Sequence, residues 1–122
     1  RLFDFLLLNS IIFREDYHGN CKNSQKEQHG YKIYDKRTNE VMEYGISGQT
    51  RTSADYLKTE NNSPRIRSKL RTKYGGNPNY AGSVMVDGLP NRQSALNWEL
   101  NQVRNYKSTH AGTTPPNQLR PK

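Results

Sequence analysis

The chain has a single cysteine, Cys21, among its 122 residues. That excludes an internal disulfide and any zinc site built from several thiolates. Three histidines, His18, His29 and His110, are too scattered to form a zinc signature. Apolar residues are scarce as well, at 31% of the chain, and the mean hydropathy is -1.09. The core must therefore be small, with part of the chain in loops or only weakly ordered. There is no long hydrophobic run. Leu2 to Phe13 is interrupted by Asp4, Asn9 and Ser10, which is too short and too broken to span a bilayer. It also lacks a convincing signal-cleavage site. It reads as a short packed helix, or as a joint to something upstream, in a chain that begins on Arg as a fragment or processed product would. No membrane partner is expected.

Acidic residues are missing from one half only. Residues 1–60 carry nine Lys/Arg against nine Asp/Glu, whereas residues 61–122 carry ten against two, Asp87 and Glu99. The whole net charge of +8 therefore sits in the second half. Such asymmetry points to a polyanion, either nucleic acid or an acidic protein, although a solubilising surface would show the same balance.

What the chain does have is eight tyrosines and a hairpin signal. In His29 to Gln49, two runs rich in β-branched and aromatic residues flank a polar turn, Asp35 to Asn39. Tyr31 and Ile33 point to one face, Lys32 and Tyr34 to the other; Met42, Tyr44 and Ile46 alternate with Glu43 and Gly45. The second run ends in Gly-Ile-Ser-Gly, where the chain can turn sharply or approach a ligand closely. Residues 14–28 read as a polar linker, and residues 49–63 as a long loop with one helical turn near Ala54 to Leu57.

Ser63-Pro64 starts a helix, which continues to about Tyr74 and is stopped by Gly75-Gly76. Ile66 and Leu70 face inward, while Arg65, Arg67, Lys69, Arg71 and Lys73 ring the rest. Five cations so close together repel one another unless a partner or a nearby acid offsets them. Tyr80 to Leu89 is a third strand. A second helix spans about Arg92 to Tyr106, with Leu96, Leu100 and Val103 as its apolar stripe and Glu99 beside that stripe. Lys107 to Lys122 is an irregular surface arm. The order predicts an α+β fold: a small three-stranded antiparallel or mixed sheet flanked by helices. Residues 1–28 form an apolar segment and linker, and 29–122 a single domain, expected to be a monomer.

Phosphodiester hydrolysis needs a nucleophile with a base, a cation on the phosphate, and usually a divalent metal held by a carboxylate. Glu99 is the only acid on its helix and suits one Mg²⁺ that keeps most of its waters. Arg65 could fork onto the phosphate. Tyr31 and Tyr44 could contact the attacking water or the phosphate. Each residue also has an ordinary reading: the tyrosines as sheet packing, Glu99 as a solvated helix residue, Arg65 as one of five similar cations.

The hairpin resembles the two-strand signature of the GIY-YIG nuclease superfamily. Gly30-Tyr31-Lys32-Ile33 stands at the first half of that signature and Tyr44-Gly45-Ile46-Ser47-Gly48 at the second. Ser63-Pro64-Arg65 opens the helix that would carry the family's Arg, with Arg67 as its rival. Ala95-Leu96-Asn97-Trp98-Glu99 resembles the Glu-bearing helix, and Pro115-Pro116-Asn117 the Asn-containing end. From His29 to Lys122, about three-quarters of the chain, the sequence is also similar to nuclease tips of Rhs-type polymorphic toxins. The matching stretches are His29 to Asp35, Gly45 to Gln49 and Pro90 to Glu99.

The resemblance implies a metal-dependent endonuclease toxin. Tyr31 would be general base or water positioner, and Tyr44 would assist near the phosphate. Arg65 would stabilise the developing charge and Glu99 would hold Mg²⁺, with Asn117 and His29 in support. Arg67, Lys69, Arg71, Lys73 and Arg92 would bind nucleic acid, DNA ahead of RNA. A secreted effector of this kind acts in the target-cell cytoplasm and has an acidic cognate immunity protein. Two alternatives stand beside it: a non-catalytic nucleic-acid-binding module with tyrosines as stacking platforms, and a metal-independent ribonuclease using His29 or His110.

Overall fold

The computed structural model describes residues 24–121. The expected apolar segment lies at residues 1–23 and outside that range, apart from its last linker residues. Of those, Ser24 is buried and its carbonyl accepts the Arg92 N–H.

Three strands form one sheet: β1 (Gln28–Asp35), β2 (Glu40–Ser47) and β3 (Tyr80–Leu89), in the order β2-β1-β3. Both pairings are antiparallel, so the sheet has no mixed character. The β1–β2 turn lies where the polar residues predict it. Asn39 takes φ 64° and donates its N–H to the Asp35 carbonyl at 2.7 Å, a conformation that asparagine tolerates better than most residues.

Helix α1 (Pro64–Thr72) begins as the sequence predicts. Ser63 Oγ accepts the N–H groups of Arg65 and Ile66, with Pro64 in the first turn. It ends before Gly75 and Gly76, both at positive φ, where the Gly76 N–H closes back onto the Leu70 carbonyl at 2.9 Å. Helix α2 (Arg92–Thr109) is capped by the Asn91 side chain, which accepts the Ser94 N–H at 2.8 Å. A short 3₁₀ turn, Asp55–Leu57, interrupts the loop after β2. Sheet and helices make an α+β fold.

Successive side chains of β1 leave opposite faces of the sheet. Tyr31 and Ile33 join Ile66, Leu70, Tyr74 and Val84 in the core under α1. Gly30 points the other way, where Trp98 of α2 lies so close that a Cβ would sit 2.4 Å from the ring. The buried stripe of α2 differs from the expected one. Ala95, Glu99, Val103 and Tyr106 are buried, whereas Leu96 and Leu100 are only half-buried. Glu99 therefore lies within the buried stripe rather than at its border. Trp98 against Gly30 fixes that rotation of the helix.

Candidate nuclease site

Two adjoining cavities share Arg65, Lys69, Glu99 and Arg120 as walls. One, of about 340 Å³, adds Glu43, Tyr44 and Lys73; the other, of about 470 Å³, adds Tyr31, Gly45 and Arg92. Both run along the outer edge of β2. There the Gln118 side chain accepts the Tyr44 N–H at 2.7 Å and donates to the Tyr44 carbonyl at 3.1 Å. The C-terminal arm thus completes the edge strand and forms a wall of the site.

Glu99 is 8% exposed. Burial pushes its carboxyl up to about 7, against the opposing pull of Arg92 and Lys69, while Glu43 adds to the rise and a hydrogen bond from Gln118 offsets part of it. It forms no salt bridge among the described residues. A carboxylate in that state gains from any cation brought to it.

Tyr31 is fully buried beneath the cavity floor. Its cross-strand partner is Gly45, and a Cβ on Gly45 would sit 2.4 Å from the Tyr31 hydroxyl. Glycine is what lets the ring lie across β2. Gly45→Ala is accordingly expected to cost about 1–3 kcal/mol through overpacking and to move the tyrosine. Thermal melting and cleavage rate, measured together, check both effects; an unchanged melt would contradict this packing. Lys69 Nζ sits 5.5 Å from the Tyr31 ring centroid. Burial opposes its charge, but Tyr31 and Glu43 outweigh that and raise its pKa, keeping it protonated.

Glu43 is the residue that the sequence reading missed. It is buried and accepts from Lys69 at 3.1 Å and from Tyr74 Oη at 2.5 Å, with Lys73 at 3.0 Å. The hydrogen bond follows burial in raising the Tyr74 hydroxyl, to a value well above that of an ordinary tyrosine. Strand alternation carried the signal, because Glu43 shares the Tyr31 face and had to find cations there. Glu43 accounts for how the cationic ring tolerates its own charge: two of the five cations, Lys69 and Lys73, are paired with it.

Tyr44 lines the smaller cavity but projects towards α2, edge-on to Trp98 at 6.4 Å between centroids. Burial, then Tyr106, raises its hydroxyl pKa. Arg65 and Arg67 separate cleanly. Arg65 is exposed on both cavities and has no ion pair among the described residues. Arg67 is tied to the Asp55 carboxylate at 2.6 Å and to the Asn61 carbonyl at 3.0 Å. Arg71 faces a different hollow on the far side of α1 with Arg67, and Lys73 is committed to Glu43 and the Asn117 carbonyl. Arg92 is on the larger cavity, where Nη1 donates to Gln28 Oε1 at 3.1 Å.

The structure does not bring His29 or Asn117 onto these cavities. His29 is buried with Nε2 2.9 Å from Ser63 Oγ. That oxygen also accepts two backbone N–H groups, and burial, the largest influence on the ring, lowers the His29 pKa. His29 therefore braces the cap of α1. Asn117 anchors the arm, donating its N–H to the Met42 carbonyl at 2.9 Å and its amide to Tyr74 Oη at 3.2 Å. Its neighbour Gln118 is the residue that reaches the site. His110 stacks on Tyr106 at 3.6 Å at the end of α2, so no histidine pair forms with His29. His18 lies outside the described residues.

Among the described residues no group of three or more His, Cys, Asp or Glu could hold a metal. Of the two carboxylates on these cavities, Glu43 is saturated by its cations, which leaves Glu99 to ligate. A single carboxylate suits Mg²⁺, which keeps several waters and takes other ligands from a substrate phosphate. No described helix is long and apolar enough to cross a membrane. Comparison with protein-family models, with curated proteins and with solved structures gives no match to this chain.

Proposed function

We propose that this domain is a metal-dependent nuclease that hydrolyses phosphodiester bonds, DNA ahead of RNA. The observation that carries the reading is the meeting of Tyr31, Arg65, Lys69 and Glu99 around one cavity. It pairs a cation and a buried acid that, among the described residues, hold no ion pair of their own. Arg65 binds the scissile phosphate and neutralises charge as it builds up. Glu99 holds the divalent cation, whose chemistry when bound is Lewis acidity and a more acidic water. Tyr31 positions or deprotonates the attacking water, with Lys69, fixed by Glu43, beside its ring. Arg120 and Arg92 receive the flanking backbone.

By the resemblance to Rhs-type toxin tips, the domain is a delivered effector that acts in the cytoplasm of a target cell. Its acidic immunity protein would cover the cationic cavity, where Arg65 and Arg120 are exposed. The histidine-based ribonuclease is disfavoured by the His29–Ser63 bond and the remote His110. Supercoiled plasmid and RNA incubated with Mg²⁺ or with chelator test the reading. Cutting that needs Mg²⁺ is expected; no cutting with any divalent metal would overturn it and leave a binding module.

A further inference from the structure

A third cavity, of about 220 Å³, lies where β1 begins and β2 ends, beside the 3₁₀ turn. It differs from the first two in charge. Its two cations, Lys26 and Arg51, are matched by two acids, Glu27 and Asp87, so nothing there favours a phosphate. Instead it has a flat aromatic edge. Of the seven described tyrosines only Tyr56 is exposed, at 60%.

The Tyr56 ring rests on the Arg51 guanidinium, 4.2 Å from the ring centroid. The Arg51 side chain is only 6% exposed and is tied down by its bonds to the Asn62 and Asp55 carbonyls and the Asp87 carboxylate. One side of the ring is thus held by a fixed cation, and the rest is open to solvent. Beside it, Gln49 and Thr50 offer donors and acceptors at the rim. Stacking surface plus neutral polar rim is the chemistry that takes an unpaired base. The two cavities also connect: Gln28, a wall of this cavity, accepts a hydrogen bond from Arg92, a wall of the Glu99 cavity.

We propose that Tyr56 and the cavity beside it form a subsite for an unpaired nucleobase of a single-stranded nucleic acid whose backbone passes over Arg65 and Arg92. This rests on the nuclease reading only for the placement of that backbone. Bases in a duplex are already stacked and cannot lie on the ring, so the subsite selects single-stranded or locally opened substrate.

The test is fluorescence anisotropy with labelled single-stranded DNA, single-stranded RNA and duplex DNA, in the Glu99→Gln background so that no probe is cut. Tyr56→Ala is expected to weaken single-stranded binding about tenfold, with duplex binding and melting temperature unchanged and Tyr56→Phe like the parent. DNA and RNA arms that fall together indicate a base subsite blind to the sugar; one arm falling alone assigns the sugar. Tyr56→Ala within twofold of the parent on both single strands overturns the proposal, as does an equal loss on duplex. Loss of binding without any Mg²⁺-dependent cleavage by the wild type would support the subsite while removing the nuclease reading. Cleavage with no effect of Tyr56→Ala would do the reverse.

Discussion

Glu99→Gln is expected to lower Mg²⁺-supported cleavage by about a thousandfold, while making the protein more stable at alkaline pH. The loss follows from removing the carboxylate proposed to hold the cation, whose stabilisation of the transition state would be worth several kcal/mol. The gain follows from burial. A glutamate near 4.5 when unfolded, pushed up to about 7 in the folded chain, binds its proton more tightly when folded. Its contribution is therefore most favourable below about pH 4.5 and declines as pH rises towards 7. At pH 8 the ionised group costs on the order of 2 kcal/mol, allowing for solvent at the cavity mouth. The wild type minus variant difference in stability should show that decline, and Mg²⁺ should raise the wild-type melting temperature alone. A variant that cuts as fast as the wild type would remove Glu99 from the metal site.

The second large effect separates two arginines two residues apart. Arg65→Ala is expected to cost about 10²–10³ in cleavage rate and to leave stability within about 0.5 kcal/mol, because the residue is exposed and its side chain holds no ion pair among the described residues. Arg67→Ala should do the opposite. Asp55 is 1% exposed, and Arg67 is the main group holding its carboxyl down at about 2. Removing Arg67 strands a buried charge, at a cost of roughly 2–3 kcal/mol because Arg67 itself is partly solvated. In the wild type the stabilisation is present above the ordinary carboxylate range and fades as pH falls towards 2; the variant should lose the larger part of that acid-side dependence, the Thr52 hydrogen bonds keeping the rest. Chemical denaturation and single-turnover cleavage of both variants separate the roles. Equal loss of activity at equal stability would contradict the assignment.

The parts of the fold that were legible in the sequence are those fixed locally. Asp35 to Asn39 specifies its turn, Ser63-Pro64 its cap and Gly75-Gly76 its stop, each through backbone chemistry within a few residues. The rotation of α2 was not legible, because Leu96 and Leu100 match a helical stripe as well as Ala95 and Val103 do. Only Trp98 meeting Gly30 across the sheet decides between them, and that decision turns Glu99 inward. Of the candidate site, Tyr31, Arg65 and Glu99 meet on one cavity, and Asp55, an acid in a distant loop, ties up Arg67 while Arg65 stays on the cavity. Glu43 escaped notice because a charged residue on a strand reads as solvent-facing until its neighbours are known. Gln118 and Arg120 were invisible for a similar reason: an arm without apolar period gives no sign that it folds back onto β2. His29 was singled out for its chemistry, but its buried bond to Ser63 gives it a structural task.

The proposed site holds one cation at Glu99, on the cavity it shares with Arg65 and Tyr31. Anomalous scattering from crystals soaked in Mn²⁺ measures it directly. A single peak at about 2.0–2.2 Å from a Glu99 carboxylate oxygen, absent from Glu99→Gln, is the predicted result. A peak at Glu43, at Asp87 or nowhere, in crystals of protein that still cuts, would contradict it.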